Sequence, residues 1–271
     1  MSSASIVAPK LGSGTRSQNE RSRASRDSVA EIASDPQLHP SGDRTASGAA
    51  DRIRRAADIV LSSSALLILT PVFLGIALAV KATSPGPVLY RQTRVGWNRR
   101  ERSRRSDSTT SGTSDRRRSD RRQEANHGRL FEIVKFRTMV VNAEEYGPQW
   151  SSENDPRITP IGRFLRLTRL DEIPQFWNVL RGDMAVIGPR PERPYFVEQF
   201  VEDVPQYTER LRARPGITGQ AQVTLDYDAS VDDVKLKVKA DIDYLRSRSL
   251  RKDVGILMQT VRVVVTGKGA R

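Results

Sequence analysis

The chain has 271 residues, a formal net charge of +13, two histidines and no cysteine. This composition excludes a disulfide framework, thiolate metal sites, a cysteine nucleophile and a histidine-rich zinc centre. Any chemistry must rest on carboxylates, Lys or Arg or hydroxyls, with or without a hard cation.

Ser, Arg, Asp and Gly crowd residues 1–50 and 99–128, with few large apolar residues in either. Such segments cannot bury enough surface to offset chain entropy, so both are predicted to be disordered. His39 and His127 fall inside them. The remainder, about 190 residues, suffices for one domain with its own core. Net charge is +5 over 99–128, +1 over 1–50 and +7 on the remainder, so the predicted folded part is itself basic. A basic surface attracts nucleic acid, anionic lipid or a phosphate-bearing substrate, and charge alone does not choose among them.

The first predicted element is the uncharged run Ile59–Val80, bounded by Asp58 and Lys81. As a helix it would be about 33 Å long, near the thickness of bilayer hydrocarbon. Pro71 removes a hydrogen bond in its middle and predicts a kink. Arg52, Arg54 and Arg55 precede it and Lys81, Arg91 and Arg94 follow, so the positive-inside rule assigns no orientation. A Pro-kinked span and a re-entrant helix that enters and leaves by one face both satisfy these residues.

After the turn cluster Ser84-Pro85-Gly86-Pro87, a hairpin is predicted from Val88–Gly96 and Leu130–Met139, both rich in β-branched and aromatic residues. The Arg/Ser segment then reads as an insertion at the hairpin tip, where added length costs little. Lys135 and Arg137 share one strand face by the two-residue period. They make either a phosphate clamp or an ordinary basic strand face.

Phe164, Leu167 and Leu170 repeat at helical spacing beside a stripe of Arg163, Arg166 and Arg169. This predicts a basic amphipathic helix, either on an anionic membrane surface or packed on a core. Asp171 and Glu172 stand at its end, just before Pro174. Asp171 reads as the N-cap of a new helix or as part of a carboxylate pair suited to phosphoryl chemistry and Mg²⁺. Downstream, an apolar strand near Ala185–Ile187 leads into Gly188-Pro189-Arg190-Pro191-Glu192. The two prolines fix the backbone and aim one guanidinium.

Taken in order, these blocks resemble one family. They are Tyr90-Arg91-Gln92, Arg94-Val95-Gly96, Lys135–Met139, Asp155–Thr159, Leu170–Gln175 with Asn178, and Gly188–Glu192. They resemble the bacterial sugar transferases, the monotopic polyprenyl-phosphate phosphoglycosyl transferases. Arg214–Val223 and the closing Gly267–Ala270 resemble the members that start exopolysaccharide or O-antigen repeats.

The resemblance implies an α+β, mostly helical fold: a re-entrant membrane helix, a β-hairpin and amphipathic surface helices in one monotopic membrane domain spanning 51–271. It implies a helix broken at Thr70-Pro71, where relatives carry Ser-Pro. It implies transfer of a sugar 1-phosphate from a UDP-sugar to polyprenyl phosphate, with Asp171 as nucleophile and metal ligand and Glu172 beside it. Mg²⁺ is the expected cofactor, and Arg190, Lys135, Arg137 and Arg157 are the expected substrate-binding cations. The expected place is the cytoplasmic face of the inner membrane, against its lipid. Nucleic acid is not an expected partner, because few aromatics interleave with the arginines and no nucleic-acid motif is present. The alternative is a basic membrane-associated scaffold without activity.

Overall fold

The computed structural model of the chain describes residues 44–98, 127–145, 147, 149, 155–204, 206–225 and 231–266. Residues 1–43 of the predicted disordered tail, nearly all of the Arg/Ser insertion and the closing Gly267–Ala270 lie outside these residues. Residues 44–50, also predicted to be disordered, instead form the start of the first helix, which continues into the apolar run. Among those described, helices dominate and the strands form two small pairs.

Helix α1 runs from Arg44 to Ile68 and α2 from Thr70 to Thr83. The predicted kink is present: the two limbs meet at Leu69 and are bent by 60°. Pro71 lies in the first turn of α2, where a missing N–H costs little. Thr70 Oγ1 donates to the Leu66 carbonyl at 2.7 Å across the bend. Among the described residues no single helix is long and apolar enough to cross a membrane, but this bent pair is so in combination.

Strands β1 (Leu89–Val95) and β2 (Leu130–Phe136) form the predicted antiparallel hairpin, with Val95 opposite Leu130. The chain on either side of the insertion is drawn together just beyond that pair. Gly96 N–H donates to the Arg129 carbonyl at 2.9 Å, and a Cβ on Gly128 would lie 2.2 Å from the Gly96 oxygen. Only glycine permits that approach of backbone to backbone.

Helix α3 covers Pro160–Leu167, and Thr159 caps its start by accepting from Gly162 N–H at 3.0 Å. The expected amphipathic helix is therefore shorter than its sequence period. It stops at Thr168, Arg169 turns left-handed at φ 59°, and a 3₁₀ turn carries Leu170–Glu172. Helix α4 (Gln175–Arg181) follows and ends on Gly182. Strand β3 (Ala185–Ile187) pairs in parallel with β4 (Gly216–Thr218), a partner the sequence did not reveal. Helices α5 (Pro194–Asp203), α6 (Gln220–Thr224), α7 (Val231–Arg246) and α8 (Leu250–Thr266) complete the described elements, with a 3₁₀ segment at Tyr207–Arg212.

Three apolar clusters hold these elements. One joins α5, the second 3₁₀ segment and α7 through Val197, Phe200, Tyr207, Val238 and Ile242. A second places β2 and β3 against α4 and the last two helices through Ile133, Val179, Val186, Tyr244 and Ile256. The third bears on function: Ile76 and Val80 of α2 meet Phe136, Leu165 and Ile173. Phe73 packs on Phe136 with ring centroids 4.6 Å apart. The second limb of the bent pair thus rests on the chain that carries Asp171 and Glu172.

Polar contacts fix both ends of the bent pair to the same body. Ahead of the apolar run, Arg55 donates to the carbonyls of Val179 and Leu180 at 2.6 and 2.9 Å, capping the end of α4. Beyond it, Arg137 donates to the Ser84 carbonyl at 2.9 Å and the Ser84 hydroxyl at 2.7 Å, and also to the Pro85 carbonyl.

Candidate active site

Asp171 and Glu172 are both buried, with 7% and 9% of their surface exposed. The 3₁₀ turn faces them inward where a continued α3 would have carried them on around the helix. Lys135, from the end of β2, places Nζ 2.8 Å from Glu172 Oε1. Arg190, from the turn after β3, places Nη2 3.2 Å from the same oxygen. Four of the predicted residues therefore meet in one cluster: Asp171, Glu172, Lys135 and Arg190.

Asn178 sets the distance between the strand and the carboxylates. It is fully buried, accepts from Val134 N–H at 3.0 Å and donates to the Glu132 carbonyl at 2.7 Å. One amide thus ties α4, which follows the carboxylates, to the strand segment just before Lys135.

The two carboxylates titrate differently. Burial pushes Asp171 up, Lys135 opposes that shift, and the charge of Glu172 adds to it, leaving the group at about 6. Burial also works to raise Glu172, but the charges of Lys135 and Arg190 outweigh it and hold Glu172 well below the usual carboxylate range. At neutral pH Glu172 is firmly ionised, while Asp171 is ionised yet more basic than a solvated aspartate. Lys135 is pulled down by burial, against the charge of Glu172.

Beside the pair, Ile173 lines an apolar cleft of ≈ 180 Å³ together with Leu66, Leu69, Thr70, Phe73 and Leu74. The cleft lies at the bend between α1 and α2, so polar cluster and apolar break adjoin through one residue.

A model of the family described as bacterial sugar transferase matches residues 49–105 and 115–267. The chain belongs to the bacterial sugar transferase family. It is 39% identical over 219 residues to a UDP-N-acetylgalactosamine-undecaprenyl-phosphate N-acetylgalactosaminephosphotransferase of Aeromonas hydrophila, covering 81% of this chain and 45% of the relative. It is 36% identical over 224 residues to a UDP-glucose:undecaprenyl-phosphate glucose-1-phosphate transferase of Escherichia coli K12, covering 82% and 42%. A protein of the same description from Caulobacter vibrioides is 35% identical over 226 residues, covering 82% and 73%. The chain thus spans less than half the length of the first two relatives.

Two expected substrate-binding residues are bonded elsewhere. Arg137 lies one residue past the end of β2, its N–H still bonded to the Val88 carbonyl at 2.9 Å, and its guanidinium holds the Ser84-Pro85 turn. Arg157 folds back on Asp155, with Nη2 to Oδ2 at 2.6 Å and Nε to Oδ1 at 2.8 Å, and reaches the Ala143 carbonyl at 3.1 Å. Each guanidinium thus holds backbone: Arg137 the turn after the bent pair, and Arg157 the segment at Ala143.

Among the described residues, no group of three or more His, Asp or Glu side chains gathers as a metal cage. The adjacent oxygen donors of Asp171 and Glu172 suit a cation that takes one or two carboxylates and completes its shell with water and substrate phosphate, which is the habit of Mg²⁺. Residues not expected at the site also serve the cluster: Arg94 and Arg210 both donate to the turn that carries Arg190. Their signal was weak, because an arginine among many arginines reveals its partner only in three dimensions.

Proposed function

We propose that this sugar transferase moves a sugar 1-phosphate from a UDP-sugar to polyprenyl (undecaprenyl) phosphate at a membrane surface, through an intermediate on Asp171. The observation that carries the reading is the buried pair Asp171–Glu172, with Lys135 and Arg190 both on the Glu172 carboxylate. The relatives named above support the donor and acceptor classes.

In the first step a carboxylate oxygen of Asp171 attacks the β-phosphorus of the donor. The bond from that phosphorus to the oxygen bridging the two phosphates breaks, and UMP leaves with the bridging oxygen. In the second step a phosphate oxygen of the polyprenyl phosphate attacks the same phosphorus. Asp171 is released as carboxylate, and the product is a polyprenyl diphosphate sugar. A buried, more basic carboxylate that stays ionised at neutral pH suits such a nucleophile. Lys135 and Arg190 offset the negative charge that two carboxylates and a phosphoryl group gather in one place. Glu172 keeps these two cations in position. Mg²⁺ would be held by Asp171, with Glu172 beside it, and would supply further charge neutralisation on the phosphates.

The bent pair α1–α2 supports a re-entrant arrangement. Arg55 ahead of the apolar run and Ser84 after it are both bonded to one body, so a membrane accepting the bend would meet that body on a single side. The exposed apolar residues Phe164, Leu167 and Trp177 suit contact with lipid beside the carboxylates. We read the arrangement as one monotopic domain on the cytoplasmic face of the inner membrane. The cleft at the bend, next to Ile173, offers apolar surface to the isoprenoid end of the acceptor. Starting assembly of a surface polysaccharide is the corresponding role.

The test is UMP release from detergent-solubilised protein with Mg²⁺, undecaprenyl phosphate and a panel of UDP-sugars, with Asp171→Asn as control. Release with one donor, abolished in the variant, supports the reading. Release that persists in the variant removes Asp171 as nucleophile. Silence from folded protein across the panel favours the scaffold.

A further inference from the structure

We propose that Arg94 and Arg210 are positioning residues for Arg190. They are two guanidinium groups that hold the backbone of the Pro189–Glu192 turn so that Arg190 reaches the Glu172 carboxylate. The inference rests on the phosphoryl-transfer reading above and adds to it residues whose side chains act through another.

The turn cannot hold itself. Pro189 and Pro191 lack N–H groups, so half of its residues offer no backbone donor. All four of its carbonyls are nevertheless bonded, each to a donor from elsewhere. The Pro189 oxygen accepts from Gly216 N–H at 2.9 Å, and the Glu192 oxygen from Val95 N–H at 2.9 Å. The two central carbonyls take side chains: Arg190 O accepts from Arg210 Nη2 at 3.1 Å, and Pro191 O from Arg94 Nη1 at 3.1 Å. The residue whose guanidinium meets Glu172 is thus fixed at its own carbonyl and at the next.

Each supporting arginine is itself held from behind. Arg210 is buried, pairs with Asp241 at 2.7 Å, donates to Tyr207 Oη at 3.2 Å and stacks over that ring at 5.2 Å. Arg94 donates to Gln92 Oε1 at 2.5 Å and pairs with Glu192 at 3.4 Å. A guanidinium can grip an anchor with one nitrogen and a carbonyl with another, whereas an ammonium on a flexible stem fixes neither direction. The closeness of Gly188 to the neighbouring strand adds a further constraint, since a Cβ there would lie 2.3 Å from the Arg214 oxygen.

A merely structural role would satisfy buried carbonyls and nothing more. A double-mutant cycle separates the two roles. Arg94→Lys and Arg190→Gln are made singly and together, with Arg210→Lys as a second arm that keeps a cation opposite Asp241. Donor-dependent UMP release is measured for each protein, with thermal melting alongside. The inference expects each single variant to lower kcat on the order of 10²-fold, more than it changes KM for the donor. It expects either supporting variant combined with Arg190→Gln to be no slower than Arg190→Gln alone, and one folded arm suffices to read this. Losses that multiply in an active enzyme overturn the inference and leave the reaction standing. A wild type that releases no UMP from any donor overturns the reaction, and the inference with it.

Discussion

Lys135 Nζ and Glu172 Oε1 lie 2.8 Å apart across 37 residues of chain, joining the end of the hairpin to the turn that carries both carboxylates. Lys135 is the strongest of the cations that lower Asp171. Replacing Lys135 with Met removes a charge from the phosphoryl site and leaves Glu172 to Arg190. Activity should fall on the order of 10²- to 10³-fold. The acid limb of the kcat/KM profile should also move to higher pH than in the wild type, because losing a nearby cation favours the protonated form of Asp171. Parallel pH profiles check this. An unmoved limb would mean that Asp171 does not control it.

Asp171 should cost the protein stability. Burial raises its folded value to about 6 from an ordinary 3.8. The folded state therefore binds the proton more tightly than the unfolded state, and the stability so gained is present below pH 3.8 and lost as pH rises through 6. Asp171→Asn removes the buried charge and should stabilise the protein at pH 7.5 by about 3 kcal/mol, with most of the gain gone near pH 4. Melting midpoints of the two proteins at both pH values test this. A variant that is less stable at pH 7.5 would contradict it.

Asn178 serves the strand with both ends of its amide. Asn178→Leu keeps similar volume but leaves the Val134 N–H and the Glu132 carbonyl without that partner. At about 1–3 kcal/mol for each buried unsatisfied group, the loss should be about 2–6 kcal/mol, read from denaturant midpoints. A loss under about 0.5 kcal/mol, the range of surface substitutions, would show that the amide is not holding the strand.

The absence of cysteine makes the membrane arrangement directly testable. Arg52→Cys and Ala82→Cys each place a single thiol at an exposed position, on either side of the apolar bend. A membrane-impermeant maleimide should label both in inside-out vesicles and neither in spheroplasts. Labelling of the two thiols from opposite sides would establish a span in place of a re-entrant pair.

Much of the architecture was legible wherever local pattern and local structure coincide. The hairpin strands fall inside the ranges set by their β-branched residues, and the proline marks the bend to within two residues. The left-handed Arg169 was not legible, because neither Gly nor Pro interrupts the Arg and apolar period that runs through to Leu170. The destination of the Arg137 guanidinium was not legible, because it is taken by the Ser84-Pro85 turn, a tertiary partner that a strand period does not name. For the site, Asp171, Glu172 and Arg190 stood out by motif. The pairing of Lys135 with Glu172, and the support of Arg190 by Arg94 and Arg210, depend on tertiary contacts between distant segments, which periodicity does not encode.

The central claim is that a sugar phosphate rests on Asp171 between the two half-reactions. The most direct measurement is mass spectrometry of the peptide containing Asp171, after brief incubation with Mg²⁺ and a competent UDP-sugar and no lipid acceptor. The account predicts an added mass of one sugar phosphate on Asp171, which disappears when polyprenyl phosphate is supplied. Turnover of the same sample with no adduct on Asp171, or with the adduct on another residue, would contradict it.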